Sequence, residues 1–147
     1  MAAKHPAEIF FSSKHPITTF LKMQFVGIED EKLTVELEAP EAFDDGSGAG
    51  RTHSGLAGLV LDTVMGGAVM GKLEKIVPIA TAGLTTQHMR RAKVGEKLRC
   101  TARYQGVHVD MAHMTGELVS RETGELLSIA TGSFMIGTRA VPLGPRV

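Results

Sequence analysis

The chain has 147 residues, with 16 Lys plus Arg and 16 Asp plus Glu, so its formal net charge is zero. This length fits one domain with a sizeable core, and the charge balance gives no indication of a nucleic-acid or membrane-surface protein. A hydrophobic content of 43% without net charge favours self-association. The only cysteine, Cys100, excludes an internal disulfide framework.

The N-terminal residues carry Glu8 where a secretory signal would have its apolar core. No apolar run reaches the roughly 18–20 residues that span a bilayer. The stretch 52–70 comes closest, but it contains a histidine, an aspartate and several glycines. We therefore expect a soluble, cytoplasmic protein without membrane or nucleic-acid partners.

In chain order, the first elements are short. Residues 1–17 form an N-terminal extension with a short helix over 7–11. A hairpin follows, with strands over 20–28 and 32–38, and the second strand alternates polar and apolar residues. Residues 39–51 are rich in Gly, Asp and Ser, which indicates a loop.

A long apolar helix runs from about Ser54 to Glu74, and the rest of the chain reads as strands. Four strands are predicted over 79–89, 95–107, 109–120 and 126–136, the last two forming a second hairpin. Prolines indicate an irregular tail over 138–147.

A single apolar helix needs cover on all sides. The order of elements therefore predicts an α+β fold in one domain over 1–147. A curved antiparallel sheet of about six strands wraps the helix, and loops or a second subunit close the rest.

Asp62 lies inside this apolar helix, where an unpartnered charge is expensive to bury. The surrounding residues leave no wide polar face, so we expect a helix buried nearly all round. In one interpretation, the carboxylate caps a loop or bonds a backbone amide. In the functional interpretation, its weakened solvation makes it a better base or nucleophile.

The tripeptide His53-Ser54-Gly55 opens the helix, and Asp62 follows nine residues after the histidine. With the order β-β-α-β-β-β-β over about 20–137, this motif resembles the hotdog-fold acyl-CoA thioesterases. The likeness is closest to the phenylacetate-degradation type, which is 4-hydroxybenzoyl-CoA thioesterase-like, and the segment 87–96 is similar to that family's strand end and turn. The resemblance implies a hotdog fold, hydrolysis of an acyl-CoA thioester and no cofactor. It also implies a homodimer or dimer of dimers with the active site at the subunit interface.

Thioester hydrolysis requires a group that activates a nucleophile and a donor for the developing oxyanion. Asp62 is the predicted general base or nucleophile, and both roles stay open. Backbone N–H groups at a helix N-terminus are preorganised donors, so Gly55 N–H is the predicted oxyanion donor. His53 either caps or fixes the loop or, as the resemblance implies, shapes the hydrogen bonds of the site.

Two serines stand where the family usually has other residues. Ser54 replaces a glycine of the motif and also suits the helix N-cap. Ser47 lies near the position of an asparagine that family members often carry before the histidine, and Ser47 or Asp45 is its candidate replacement. Thr81 aligns with a water-orienting Ser or Thr that the resemblance places on the neighbouring subunit; otherwise it is an ordinary strand threonine.

Arg90, Arg91 and Lys93 form a basic cluster after the third predicted strand. They are either a solvated strand end or, beside such a site, contacts for CoA phosphates through bidentate arginine bonds. Weaker candidates are Arg51, Lys72 and Lys75.

The histidines at 88, 108 and 113 have no zinc-like spacing, and we expect 108 and 113 on opposite faces of one strand, so no metal site is predicted. The main alternative function is non-catalytic acyl-CoA binding or sensing on the same fold. A hotdog dehydratase or hydratase is a weaker third.

Overall fold

A computed structural model describes residues 3–137 of the chain. Its elements are α1 (Pro6–Ser12), α2 (Pro16–Phe20), β1 (Gln24–Glu29), β2 (Lys32–Glu38), a 3₁₀ turn (Glu41–Phe43), α3 (Gly55–Leu73), β3 (Ile79–His88), β4 (Lys97–His108), β5 (Met111–Ser120) and β6 (Leu126–Ile136). The predicted α+β class, the long helix and six strands are confirmed. The predicted irregular tail, 138–147, lies outside the described residues.

All six strands form one antiparallel sheet in the order β1-β2-β4-β5-β6-β3. Alternate side chains of each strand face α3, as the period of two requires. In β2 the buried residues are Leu33, Val35 and Leu37, and Val35 lies opposite buried Cys100 of β4. The core therefore lies between the helix and one face of the sheet.

The first hairpin begins later than predicted, at Gln24 instead of residue 20. The physical reason is Pro16, which occupies the first position of α2, where its fixed φ favours a helix. This short helix takes up Phe20 before β1 starts.

Within one chain, helix α3 is not enclosed on all sides. The predicted cover of the remaining side by loops or a second subunit stays a prediction. Half-buried positions form a stripe along it that includes Leu59, Asp62, Gly66 and Met70. The sheet covers one side of the helix and α1 covers a second, which leaves this stripe partly open. By length and composition α3 could cross a membrane, yet half of that apolar stretch is buried inside the fold, as in a core helix.

Helix α1 packs on α3 at two glycines. A Cβ at Gly67 would lie 2.6 Å from Phe11 Cζ, and one at Gly71 would lie 3.2 Å from Ala7 Cβ. Both Phe11 and Ala7 are buried. The absence of side chains at positions 67 and 71 therefore lets the two helices approach closely.

We expect Gly67→Ala to lower the free energy of unfolding by about 1–3 kcal/mol, because the new methyl group would overlap the Phe11 ring. Gly58→Ala is the matched control, since a Cβ there has no neighbour within 4 Å. The higher helix propensity of alanine should stabilise that variant by up to about 1 kcal/mol. Urea unfolding measures both, and equal changes would contradict this account of how α1 is held.

Candidate active site

Asp62 and Thr81 form a hydrogen-bonded pair between α3 and β3. Thr81 Oγ1 donates to Asp62 Oδ1 at 2.7 Å, within one chain. In this structure Thr81 bonds Asp62 of its own chain, whereas the resemblance implied a Thr81 from a neighbouring subunit. Thr81 lies opposite Phe134, a buried residue of β6, and the register of β3 shifts between Thr81 and Gly83. This irregularity helps to aim the threonine at the helix.

The pair leaves one carboxylate oxygen open. Within residues 3–137, Asp62 Oδ2 takes part in no hydrogen bond, and the side chain is half buried. A carboxylate held by one oxygen can use the other to accept a proton from water or to attack a carbonyl carbon. The same described residues contain no cluster of three or more His, Cys, Asp or Glu side chains that could hold a metal ion.

His53 caps the N-terminus of α3. Its Nδ1 accepts a 3.0 Å hydrogen bond from Gly55 N–H, whereas Ser54, at the N-cap position, makes no side-chain cap bond. The capping role considered for His53 is therefore the one observed, and the Ser54 hydroxyl does not cap. Gly55 N–H, the predicted oxyanion donor, is already engaged. Within the described part of the chain, Ser54 N–H donates to no acceptor, so it is the open donor at this helix end.

Asp62 is far from this donor within one chain. Asp62 lies eight positions after Ser54, which corresponds to about 12 Å along the helix axis. A base and an oxyanion donor that serve one carbonyl lie no more than about 9 Å apart, even with a water molecule between base and carbon. This separation along the axis favours an arrangement in which the Asp62 and the Ser54 N–H that serve one carbonyl group come from different chains.

Arg90 has a structural role that the sequence did not indicate. Its guanidinium donates to Glu96 at 2.7 and 3.0 Å and to Glu125 at 2.7 Å. Glu96 is only 5% exposed and also accepts the N–H of Lys93. With these contacts, Arg90 is occupied in holding the turn after β3, and the geometry gives no support to its predicted phosphate contact.

The bond from Arg90 lowers the pKa of the Glu96 carboxyl from 4.5 to about 2. Because the folded-state pKa is depressed, Glu96 stabilises the fold above about pH 5 and loses this contribution as the pH falls toward 2. We expect Glu96→Gln to cost about 2 kcal/mol at pH 7 and to flatten the acid decline of the free energy of unfolding.

Chemical denaturation at a series of pH values measures both effects. Glu125→Gln is the control, because Glu125 bonds the same arginine with a side chain that is 53% exposed, and it should change stability little. An acid decline that is equally steep in Glu96→Gln and the unmodified protein would assign the acid sensitivity to other carboxylates.

Arg51, Arg91 and Lys93 form a basic surface beside the loop 44–51. Arg91 lies 2.9 Å and Arg51 lies 3.6 Å from Oδ2 of the same carboxylate, Asp45. Hydrogen bonds from Ser47 lower the pKa of that carboxyl, and the nearby arginines add to the effect. The backbones of Lys93 and Arg51 form an isolated antiparallel β-bridge, which brings a third cation to this surface.

Ser47 makes hydrogen bonds within the loop 44–51. Its N–H donates to Asp45 at 2.9 Å, its Oγ accepts from Ala49 N–H, and no hydrogen bond joins it to Asp62 within residues 3–137. The structure therefore places Ser47 and Asp45 with the basic surface, while Asp62 of α3 is paired with Thr81 of β3.

The pairing of His88 with Ser128 was not predicted. Nδ1 of His88 lies 2.9 Å from Oγ of Ser128, its cross-strand partner on β6, and Ser128 is buried. Both line a water-sized cavity at the N-terminus of α3 with His53 and Ser54. Only the register of β3 against β6 could have shown this pair.

His108 and His113, which were expected on one strand, lie on β4 and β5.

Neither a protein-family model nor a curated protein matches this sequence. Among solved structures, the chain is similar to a putative thioesterase from Ralstonia eutropha, described as phenylacetic acid degradation-related. The identity is 24%, the TM-score is 0.75, and the match covers 88% of this chain and 98% of that one. Thioesterase superfamily member 2 from Mus musculus matches with 21% identity, 94% and 100% coverage and a TM-score of 0.76.

A hypothetical thioesterase from Streptococcus pneumoniae, in a structure with coenzyme A, matches with 15% identity and a TM-score of 0.67. That match covers 80% of this chain and 88% of the other. At these identities the likeness concerns the fold, and it agrees with one long helix packed on a six-stranded antiparallel sheet. The predicted fold is therefore confirmed: this chain has the hotdog fold of thioesterase-superfamily structures.

Proposed function

We propose that this protein hydrolyses an acyl-CoA thioester to the free acid and CoA. The observation that carries the proposal is the pair of Asp62 and Thr81, in which one carboxylate oxygen is held and the other is open. The fold is shared with thioesterases, one of them in a structure with coenzyme A, which supports the substrate class.

In this proposal Asp62 acts in one of two ways. As a general base it takes a proton from water, the hydroxide attacks the carbonyl carbon, and the C–S bond breaks. The departing thiolate then receives that proton. As a nucleophile, Asp62 attacks the carbon, expels the thiolate and forms an anhydride, which water hydrolyses. In both cases Thr81 orients the carboxylate.

The oxyanion donor in this proposal is Ser54 N–H of a second copy of the chain. Gly55 N–H is engaged by His53, and about 12 Å of helix axis separate Ser54 from Asp62 of its own chain. Strand β3 is an edge strand with mostly exposed residues, so it is open to pairing. Antiparallel pairing of two such edges would set two α3 helices side by side in opposite directions and bring Asp62 toward the partner's helix N-terminus. The active unit would then be a homodimer or a dimer of dimers.

The CoA phosphates in this proposal contact Arg51, Arg91 and Lys93, and not Arg90. We expect Arg91→Ala to raise KM for an acyl-CoA about tenfold, because a hydrogen bond to a charged phosphate is lost. KM for the corresponding acyl-pantetheine, which lacks the nucleotide, should stay within about twofold. Lys97→Ala, an exposed lysine of β4, is the control. Equal changes for both substrates in Arg91→Ala would refute the phosphate contact.

The activity itself is tested with purified protein and a thiol reagent, against short, medium, long and aryl acyl-CoAs. Release of CoA from any of them supports the proposal. Binding of an acyl-CoA without turnover would favour the alternative, a non-catalytic acyl-CoA binding or sensing protein. The departures from the family pattern at Ser47 and Ser54 are the observations that favour that alternative.

A further inference from the structure

Four glycines lie in the interior of α3, and packing within the fold accounts for only two of them. Side chains at Gly67 and Gly71 would collide with α1. At Gly66, an added Cβ would have one neighbour within 4 Å, Phe134 Cε1 at 3.8 Å, which is an ordinary contact. Because glycine destabilises a helix interior relative to alanine, the described fold gives no reason for a glycine at position 66.

Gly66 lies one helical turn beyond Asp62, and residues four apart share a helix face. Both positions are half buried, so the stripe between them is partly open in this chain. A side chain at position 66 would therefore project beside the open carboxylate, about 6 Å further along the helix axis.

The two directions along α3 from Asp62 differ in polarity. Toward the helix N-terminus lie His53, Ser54 and Arg91, which line the water-sized cavity there. In the other direction lies the Phe134 ring, and Ile79 is on the same face of β3 as Thr81. An apolar acyl group is more stable against this second, apolar surface.

We propose that Gly66 determines the size of the acyl group that the protein accepts, with the acyl chain passing over this glycine and against the edge of Phe134. This inference rests on the proposed hydrolysis at Asp62. An acetyl group would end before position 66, whereas a longer chain would cross it. Added bulk at position 66 therefore discriminates by acyl length and leaves the reacting carbonyl group untouched.

Gly66→Ala and Gly66→Leu, assayed with acetyl-, hexanoyl- and decanoyl-CoA, test the proposal, with Gly58→Ala as the control one turn on the other side of Asp62. We expect Gly66→Leu to lower the decanoyl-to-acetyl ratio of kcat/KM at least about tenfold, with a smaller fall in Gly66→Ala. The ratio should stay within about twofold in Gly58→Ala. Gly66→Ala should also raise Tm by about 2–4 °C, because alanine favours the helix. Equal losses for all three substrates, or an unchanged ratio in Gly66→Leu, would overturn the proposal.

If the unmodified protein hydrolyses none of the three esters, calorimetric binding of CoA and decanoyl-CoA separates the two proposals. Weaker binding of decanoyl-CoA alone in Gly66→Leu would support the acyl path while the hydrolysis fails. Unchanged binding of decanoyl-CoA, or no binding of either compound by the unmodified protein, would overturn the role of Gly66.

Discussion

Asp62→Asn is expected to lower kcat by about 10²–10⁴-fold, because an amide neither accepts the proton of water nor forms an anhydride. The substitution keeps the shape of the side chain, and Thr81 Oγ1 can still donate to the remaining oxygen. The fold should therefore be retained. Steady-state hydrolysis of the best acyl-CoA, together with urea unfolding, measures both quantities.

Thr81→Ser and Thr81→Val are the matched pair for this experiment. Serine retains the hydroxyl that holds the carboxylate, so Thr81→Ser should keep most of the activity. Thr81→Val removes this hydroxyl and should lower kcat. If Asp62→Asn hydrolysed thioesters at the rate of the unmodified protein, the chemistry would lie elsewhere in the molecule.

The second large effect is expected from Ser54→Pro, which removes one backbone N–H. Ser54 has a φ of −60°, which proline adopts readily, so the helix start should be retained. Loss of an oxyanion donor should lower kcat by about 10²–10³-fold. Ser54→Ala is the control, since it keeps the N–H and removes only a hydroxyl that makes no cap bond, and it should cost much less.

Mixing the two inactive chains tests where the donor comes from. In a 1:1 mixture of Asp62→Asn and Ser54→Pro chains, half of the dimers are mixed, and one of their two sites combines an intact Asp62 with an intact Ser54 N–H. We expect recovery of about a quarter of the activity of the unmodified protein. A site built within one chain would give no recovery.

The alternation of β2 and the apolar run of α3 were sufficient to predict the fold class, because each pattern matches one secondary-structure period. Asp62 is half buried within one chain, and the apolar pattern alone could not show this for a physical reason. Apolar residues all around a helix show that it needs cover, but not which side its own chain covers. The cover over α3 depends on the curvature of the sheet and on the contact of α1 at Gly67, which are tertiary properties.

The basic cluster shows a similar limit to prediction from the sequence. Adjacent cations in the sequence do not show which of them has a carboxylate partner, and Glu125 meets Arg90 only because of a turn 35 residues later. Likewise, position alone predicted Gly55 N–H as the donor, whereas the orientation of the His53 ring decides that it is engaged. The sequence was sufficient to predict which donors lie near the site. It was not sufficient to predict which acceptor each donor bonds.

Cys100 lies on the helix-facing side of β4 with no exposed surface, and burial raises the pKa of its thiol. A buried, protonated thiol reacts slowly, since the thiolate is the reactive species. The folded protein should therefore react little with thiol reagents. A thiol reagent would report released CoA and not Cys100. One cysteine introduced on the surface could carry a spectroscopic label without removal of the natural one.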